Sequence, residues 1–224
     1  MKLLKVFALG GAALILSALT GCFHRAGSNN RLPSNTEEQK ARIGQLLNEK
    51  YGDTFTVHTV EAERVQQAFD GMYYRATASS DRYDGTFTVR VDKNETLVDD
   101  YPRLYFGEIL TSRVVDAIAV VPASYETQWE IMYPLSVNTW RKSDSVDDYI
   151  AQERVYVDIT LQMEDKATDE VISTALALNQ ALQDKNVPFT AIWESGKAPI
   201  AFSNKKDMPT LTEQDIKDKF EREW

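Results

Sequence analysis

Cysteine and histidine supply most nucleophilic and acid–base chemistry at neutral pH, and this chain of 224 residues has one cysteine and two histidines. The count excludes a histidine-rich zinc site. His24 falls in a polar N-terminal segment, and His58 falls on the face of a predicted strand opposite Phe55 and Val57. Neither a Gly-x-Ser-x-Gly elbow nor a free thiol accompanies His58. We therefore expect a solvated strand histidine rather than a catalytic base.

Acidic side chains form three short clusters: Asp81 with Asp84, Asp99 with Asp100, and Asp144 with Asp147 and Asp148. Paired carboxylates hydrolyse glycosides when their separation suits the reaction and one of them has a raised pKa. Turn and helix-cap roles account for all three clusters without catalysis. A hydrolase with paired carboxylates is therefore the catalytic alternative and not the first interpretation.

The segment Asp92-Lys93-Asn94-Glu95 imitates the start of a calcium-binding loop, with oxygen ligands at its first and third positions. The sixth position is Leu97, where such loops need glycine, and the twelfth is Arg103, where they need glutamate. The segment is therefore predicted to be a hairpin turn. Because the chain also lacks a P-loop and a dinucleotide fingerprint, we predict neither a metal nor a cofactor.

Aromatic side chains are the one unusual resource of the sequence: Tyr73, Tyr74, Tyr83, Tyr101, Tyr105, Trp129, Tyr133, Trp140, Tyr149, Tyr156 and Trp193. Packing is the first interpretation of this set. Those on exposed strand faces, such as Tyr73 and Tyr156, are the candidates for a surface that binds a peptide or a glycan.

Acidic residues outnumber basic ones by 34 to 25, which gives a formal charge of −9. This excess argues against nucleic acid as a partner, since nucleic-acid binding needs a basic surface. The hydrophobic share of 43% is enough for a real core, in one domain or in two small ones.

Residues 1–21 have the layout of a secretory signal peptide, with Lys2 and Lys5 before an apolar run at 6–19 that ends in small residues. As a helix the run is about 21 Å long, shorter than the ~30 Å hydrocarbon core, so cleavage is favoured over a permanent span. Without residues 1–21 the chain keeps 23 basic and 34 acidic residues, a formal charge of −11.

The end of this run, Leu19-Thr20-Gly21-Cys22, resembles the lipobox of bacterial lipoproteins at all four positions. The resemblance implies that a diacylglyceryl group is attached to the Cys22 thiol and that Cys22 becomes the first residue of the mature chain. Two or three acyl chains, at about 0.8 kcal/mol per buried CH₂, hold a protein stably on a membrane. The alternatives are an ordinary signal peptide with an unrelated cysteine and a cytosolic protein with an apolar N-terminal helix.

The predicted location is the extracytoplasmic side of a cell membrane, with the chain anchored through lipid on Cys22. In Gram-negative lipoproteins, Asp at the position after the lipidated cysteine signals retention at the inner membrane. This chain has Phe23 at that position, so an outer-membrane location is an alternative if the cell is Gram-negative. Residues 22–35 are rich in Ser, Asn and Gly and are predicted to be a flexible tether.

The predicted fold class is α+β, beginning with an N-terminal helix and an antiparallel three-stranded meander. Residues 36–51 carry capping signals and predict a helix with an inner face of Ile43, Leu46 and Leu47. Runs that alternate apolar and polar residues predict the strands, at 54–60, 72–78 and 86–91. Asp70-Gly71 and Asp84-Gly85 supply the turns between them.

This helix and meander, ending in Phe87-Thr88-Val89-Arg90-Val91-Asp92 and a polar turn, is similar to the PepSY-type modules of extracytoplasmic bacterial proteins over residues 36–101. Such modules usually carry a glycine in the turn after the Asp, whereas Asp92 is followed here by Lys93-Asn94-Glu95-Thr96. A generic α+β meander explains the pattern equally well, so no functional residue is carried over.

Residues 102–224 are predicted to form a second α+β (sub)domain after a boundary at 99–102. Its predicted helices are at 103–121, 145–152, 168–185 and 210–224, and its predicted strands are at 124–133, 153–163 and 189–194. The strand, helix and strand between 153 and 194 form a unit whose strands are either parallel neighbours or separated by another strand. Residues 195–209 are predicted to be a loop.

These observations predict a lipid-anchored extracytoplasmic protein that acts as a non-catalytic binding or interaction module for an envelope protein or peptide. One alternative is the envelope hydrolase, which needs two acids converging in a cleft. The other is a small-solute-binding lipoprotein, which needs a deep apolar cleft between residues 36–101 and 103–224.

Overall fold

The computed structural model describes residue 32 and residues 35–64, 72–162, 168–194, 200–204 and 212–223. The predicted signal peptide with Cys22, most of the tether and the Asp70-Gly71 turn lie outside the described residues. The described chain is α+β, as predicted, with its helices and strands arranged around two sheets. None of the described helices is long and apolar enough to cross a membrane.

The first sheet follows helix α1 (Thr36–Tyr51), which confirms the first predicted helix. The Asn35 side chain caps this helix by accepting a hydrogen bond from the Glu37 N–H at 2.8 Å. Gly52 ends it with a left-handed φ of 77°, which glycine adopts without strain. Ile43 and Leu47 are fully buried on its inner face.

The sheet itself is antiparallel and has the order β1-β2-β3-β4, formed by β1 (Phe55–Arg64), β2 (Met72–Ser80), β3 (Thr86–Val91) and β4 (Leu97–Asp99). The three predicted strands are confirmed, and β4 adds a short fourth. The Asp92 carboxylate accepts hydrogen bonds from the N–H groups of Asn94 and Thr96, each at 2.8 Å, in the turn between β3 and β4. This confirms the hairpin turn predicted for the calcium-like segment.

The second half contains α2 (Arg103–Ile118), β5 (Thr127–Met132), α3 (Val146–Glu153), β6 (Tyr156–Gln162), α4 (Thr168–Asp184), β7 (Phe189–Glu194), β8 (Ile200–Ser203) and α5 (Glu213–Glu223). Its sheet has the order β5-β6-β7-β8, in which only β6 and β7 pair in parallel. The predicted strand, helix and strand are therefore β6, α4 and β7, with the two strands as direct neighbours.

The prediction of a loop at 195–209 is wrong over Ile200–Ser203, which forms β8. Ile200 and Phe202 are buried, while Ala201 is exposed. Two apolar positions at a period of two are too few to indicate a strand by pattern alone. Pairing with β7, from Trp193 with Ile200 to Thr190 with Ser203, supplies the missing stabilisation.

Two hydrophobic cores lie in the described chain, and helix α2 contributes to both. The junction core comprises Leu32, Ile43, Leu47, Ala76, Ala78, Phe87, Val89, Val91, Tyr101, Tyr105, Phe106, Leu110, Trp140, Tyr149, Ile150 and Val155. The second-sheet core comprises Val114, Ala117, Tyr125, Val157, Ile159, Leu161, Val171, Ala175, Leu178, Leu182, Val187, Phe189, Ala191, Trp193, Ile200, Phe202, Ile216 and Phe220. Because the first turns of α2 belong to one core and its last turns to the other, this helix couples the two halves.

Candidate functional site

A pocket of about 430 Å³ opens where the two predicted halves of the chain meet, and we call it the junction pocket. Its lining residues are Tyr51, Asp53, Arg82, Tyr83, Tyr101, Tyr105, Trp140, Arg141, Lys142 and Ser143. The volume lies within the range of about 300–1,000 Å³ that is usual for small-molecule sites. Since residues before and after 102 contribute equally, the pocket exists only when both halves are folded together.

Tyr101 forms the floor of the junction pocket and is 1% exposed. Its ring centroid lies 4.7 Å from that of Tyr51, 5.7 Å from that of Tyr105 and 5.9 Å from that of Tyr83, each in an edge-to-face arrangement. Such ring pairs favour one fixed geometry, because the positive edge of one ring meets the negative face of the next. The floor is therefore rigid and aromatic.

The hydroxyl groups of the two deepest tyrosines bond within the protein. Tyr101 donates to Asp53 Oδ2 at 2.8 Å, and Ser80 Oγ lies 3.0 Å from the same hydroxyl. Tyr105 donates to the backbone oxygen of Trp140 at 2.6 Å. Burial raises the pKa of Tyr101 and that of Tyr105, so both stay protonated at neutral pH. These side chains offer a ligand ring edges and faces rather than free hydroxyls.

A fully buried carboxylate, Asp99, supports the floor from below. It accepts hydrogen bonds from Lys50 Nζ at 2.8 Å, from the Tyr51 hydroxyl at 2.7 Å and from the Tyr101 N–H at 3.0 Å. Lys50 also donates to the Ser136 backbone oxygen at 3.1 Å. Burial raises the pKa of Asp99, and the Lys50 ammonium opposes that shift. The network ties the end of α1, the end of β4 and the segment after β5 together beneath the pocket.

The rim of the junction pocket is cationic. Arg82 Nη1 lies 3.1 Å from Asp53 Oδ1, and its guanidinium carbon lies 5.6 Å from the centroid of the Tyr83 ring. Lys142 Nζ lies 5.8 Å from the same centroid. Both distances are within reach of cation–π attraction. The Tyr83 ring thus lies in contact with two cations.

Local hydrogen bonds fix the loop that brings Arg141 and Lys142 to the rim. The Arg141 N–H donates to Asp144 Oδ2 at 2.7 Å, and the Asp144 N–H donates back to the Arg141 oxygen at 2.9 Å. The Trp140 indole N–H donates to Glu153 Oε1 at 2.8 Å. Ser145 then caps α3 by accepting from the Asp148 N–H. The loop is therefore held at both ends by contacts that its own sequence supplies.

The three predicted acidic clusters do not converge on the junction pocket, and Asp53 is the one carboxylate among its lining residues. Both oxygens of Asp53 are engaged, by Arg82 and by Tyr101. Asp100 accepts from the Thr88 N–H and pairs with Arg103, and Asp147 pairs with Arg113. These are local structural roles of the kind predicted. Asp99 has a structural role besides that of a turn residue, because it is buried together with Lys50.

The other predicted residues fall outside this pocket. Cys22 lies outside the described residues. His58 is exposed, and its Nε2 lies 2.8 Å from Ser79 Oγ on the neighbouring strand, as expected for a solvated strand histidine. Across the described ranges, no group of three or more His, Cys, Asp or Glu side chains is arranged to hold a metal ion.

Among the aromatic candidates, Tyr83, Tyr101, Tyr105 and Trp140 line the junction pocket, whereas Tyr73 and Tyr156 do not. Sequence reasoning missed Asp53 and the three cations of the rim. A signal for them does exist, since Arg82-Tyr83 and Trp140-Arg141-Lys142 place cations next to aromatic residues in loops of an acidic chain.

Comparisons of the chain with protein-family models, with curated proteins and with solved structures find no significant match. The resemblances to bacterial lipoproteins and to PepSY-type modules therefore stay predictions from the sequence.

Proposed function

We propose that this protein is a non-catalytic binding protein, held on the extracytoplasmic face of a cell membrane by lipid on Cys22, that holds a small solute in the junction pocket. Of the functions that the sequence leaves open, this is the small-solute-binding lipoprotein. The lipobox Leu19-Thr20-Gly21-Cys22 supports the location. The geometry of the pocket supports the role.

The observation that carries the role is a pocket lined by five aromatic rings and drawn equally from both halves of the chain. A site at the junction of two packed units is a common position for small ligands. Its volume of about 430 Å³ suits a compound of one or two rings better than a folded protein surface. The paired-carboxylate hydrolase has no support here, because the one lining carboxylate is engaged by Arg82 and Tyr101.

The location is tested by metabolic labelling of cells with an alkyne fatty acid. Cys22→Ser should abolish labelling of the protein, since the thiol is the predicted attachment atom. Phe23→Ser, at the adjacent position outside the lipobox, should leave labelling unchanged. If the Cys22→Ser protein is labelled like the wild type and stays in the membrane fraction, the proposed anchor is wrong.

The binding role is tested by a thermal-shift screen of acidic, neutral and basic solutes against the full chain in detergent. Ser143→Trp places a large ring at the mouth of the junction pocket and should remove the shift that any true ligand produces. Ser124→Trp makes the same change at an exposed position outside the pocket and should leave that shift intact. If no solute of any charge gives a shift that Ser143→Trp removes, the proposed role fails.

A further inference from the structure

The charge at the rim of the junction pocket opposes the charge of the whole chain. The lining contains three cations, Arg82, Arg141 and Lys142, and a single carboxylate, Asp53. The chain as a whole carries a formal charge of −9. A concave surface with low-dielectric aromatic walls concentrates the field of its charged groups. The pocket is therefore an electropositive site on an acidic protein.

Two of these cations are available to a ligand. In the parts of the chain that the structure describes, neither the Arg141 guanidinium nor the Lys142 ammonium pairs with a carboxylate. Both side chains are exposed. Arg82, in contrast, is held by Asp53 at 3.1 Å. Arg141 supplies a planar fork of N–H donors, which fits a carboxylate or a phosphate, and Lys142 adds a point charge.

A tyrosine ring lies next to the cations. Tyr83 is half-buried, and the cations of Arg82 and Lys142 lie 5.6 and 5.8 Å from its centroid. A ligand that contacts this ring while pairing with Arg141 needs a flat, weakly polar face next to its charge. Sugar rings and aromatic rings both meet that requirement.

We propose that the junction pocket selects a small cyclic anion, a compound of one or two rings that carries a carboxylate or a phosphate. The anionic group pairs with Arg141 and Lys142, and a ring of the ligand packs on Tyr83. This inference rests on the proposed binding role and adds the chemical class of the ligand.

The test is isothermal titration calorimetry of the full chain in detergent with disaccharides of similar size and different charge. The anionic probe is digalacturonate, the neutral one is maltose and the cationic one is the glucosamine disaccharide. Glucose 1-phosphate, compared with digalacturonate, tests whether the pocket prefers a phosphate or a carboxylate. 1-Naphthoate, compared with digalacturonate, tests whether it prefers an aromatic ring or a sugar ring. At least one anionic probe should bind about tenfold or more tightly than maltose, and its affinity should fall as salt is raised.

Matched arginine variants assign that binding to the rim. Arg141→Gln should lower the affinity for the best anionic probe by about tenfold, the loss expected for one charge-assisted contact. Arg75→Gln removes an equal charge from an exposed position on β2, outside the pocket, and should leave the affinity unchanged. Tyr83→Leu should lower the affinity for the same probe without changing the salt dependence of binding.

Three results would overturn the inference. Tighter binding of maltose or the glucosamine disaccharide, blocked by Ser143→Trp, would reject an anionic ligand and leave the binding role standing. Equal losses from Arg141→Gln and Arg75→Gln would show a general charge effect instead of a site. No anionic probe bound at millimolar concentration would also reject the inference, and only the wider solute screen would then decide the binding role.

Discussion

The two cores of the molecule differ in what they bury. The second-sheet core consists mainly of aliphatic and phenylalanine side chains around Trp193, and Tyr125 is the one tyrosine among its buried residues. The junction core buries the hydroxyls of Tyr101 and Tyr105, and the carboxylate of Asp99 lies at its edge. Polar groups lose hydration when they are buried, and a hydrogen-bond partner inside the protein offsets that cost. The polar groups are buried in the junction core, where the pocket lies, and their contacts hold the rings of the pocket floor in place.

This comparison predicts that the largest stability effect of a single side chain comes from Asp99. Asp99→Ala leaves the Lys50 side chain, 11% exposed, without its carboxylate and removes the acceptor for the Tyr51 hydroxyl and the Tyr101 N–H. Removing one partner of a buried ion pair costs about 3–5 kcal/mol, and we expect a loss of that size in the free energy of unfolding by urea.

The double variant Lys50→Met with Asp99→Leu is the control for this loss, because it removes both charges and keeps apolar volume. It should recover at least about half of the stability that Asp99→Ala loses, since no unpaired charge is left in the interior. A loss below about 1 kcal/mol for Asp99→Ala, the range of an exposed pair, would contradict the importance given to this network.

The sequence predicts the second-sheet core better than the junction pocket. On α4 the apolar positions Val171, Ala175, Leu178 and Leu182 repeat at helical spacing, and all four are buried as expected. Strand β6 alternates strictly and buries Val157, Ile159 and Leu161. A regular apolar period therefore identifies elements whose task is packing.

The pocket depends on contacts that no local pattern records. Tyr101 bonds to Asp53, 48 positions earlier, and Tyr105 bonds to Trp140, 35 positions later. Sequence reasoning lists these aromatic residues as candidates but cannot say which of them meet. The clusters of neighbouring acids are conspicuous in the sequence, yet Asp53, which has no acidic neighbour, is the one that reaches the site. Tertiary geometry decides which polar residues act together.

A cavity in the second-sheet core should lower stability and leave the pocket intact. Leu182 is fully buried there, and Leu182→Ala should cost about 3 kcal/mol through lost burial and the cavity that remains. The NMR amide shifts of Tyr101 and Arg141 should stay at their wild-type values. Asp99→Ala should move the Tyr101 shift, so the two variants separate the cores. Large shifts at the pocket in Leu182→Ala would show that the two cores respond as one.

The smallest expected effect is the difference in stability between removing the hydroxyl of Tyr101 and removing that of Tyr149, both in the junction core. The Tyr101 hydroxyl bonds to Asp53 and Ser80, whereas the buried Tyr149 hydroxyl has no hydrogen-bond partner in the described structure. Tyr101→Phe should therefore lower the free energy of unfolding by about 1–2 kcal/mol, because it removes a bond to a carboxylate. Tyr149→Phe removes the same atom and should be neutral or slightly stabilising, within about 0.5 kcal/mol of wild type. Equal losses in parallel urea titrations would mean that partnered hydroxyls contribute no more than unpartnered ones, and the junction core would then differ from its neighbour in composition alone.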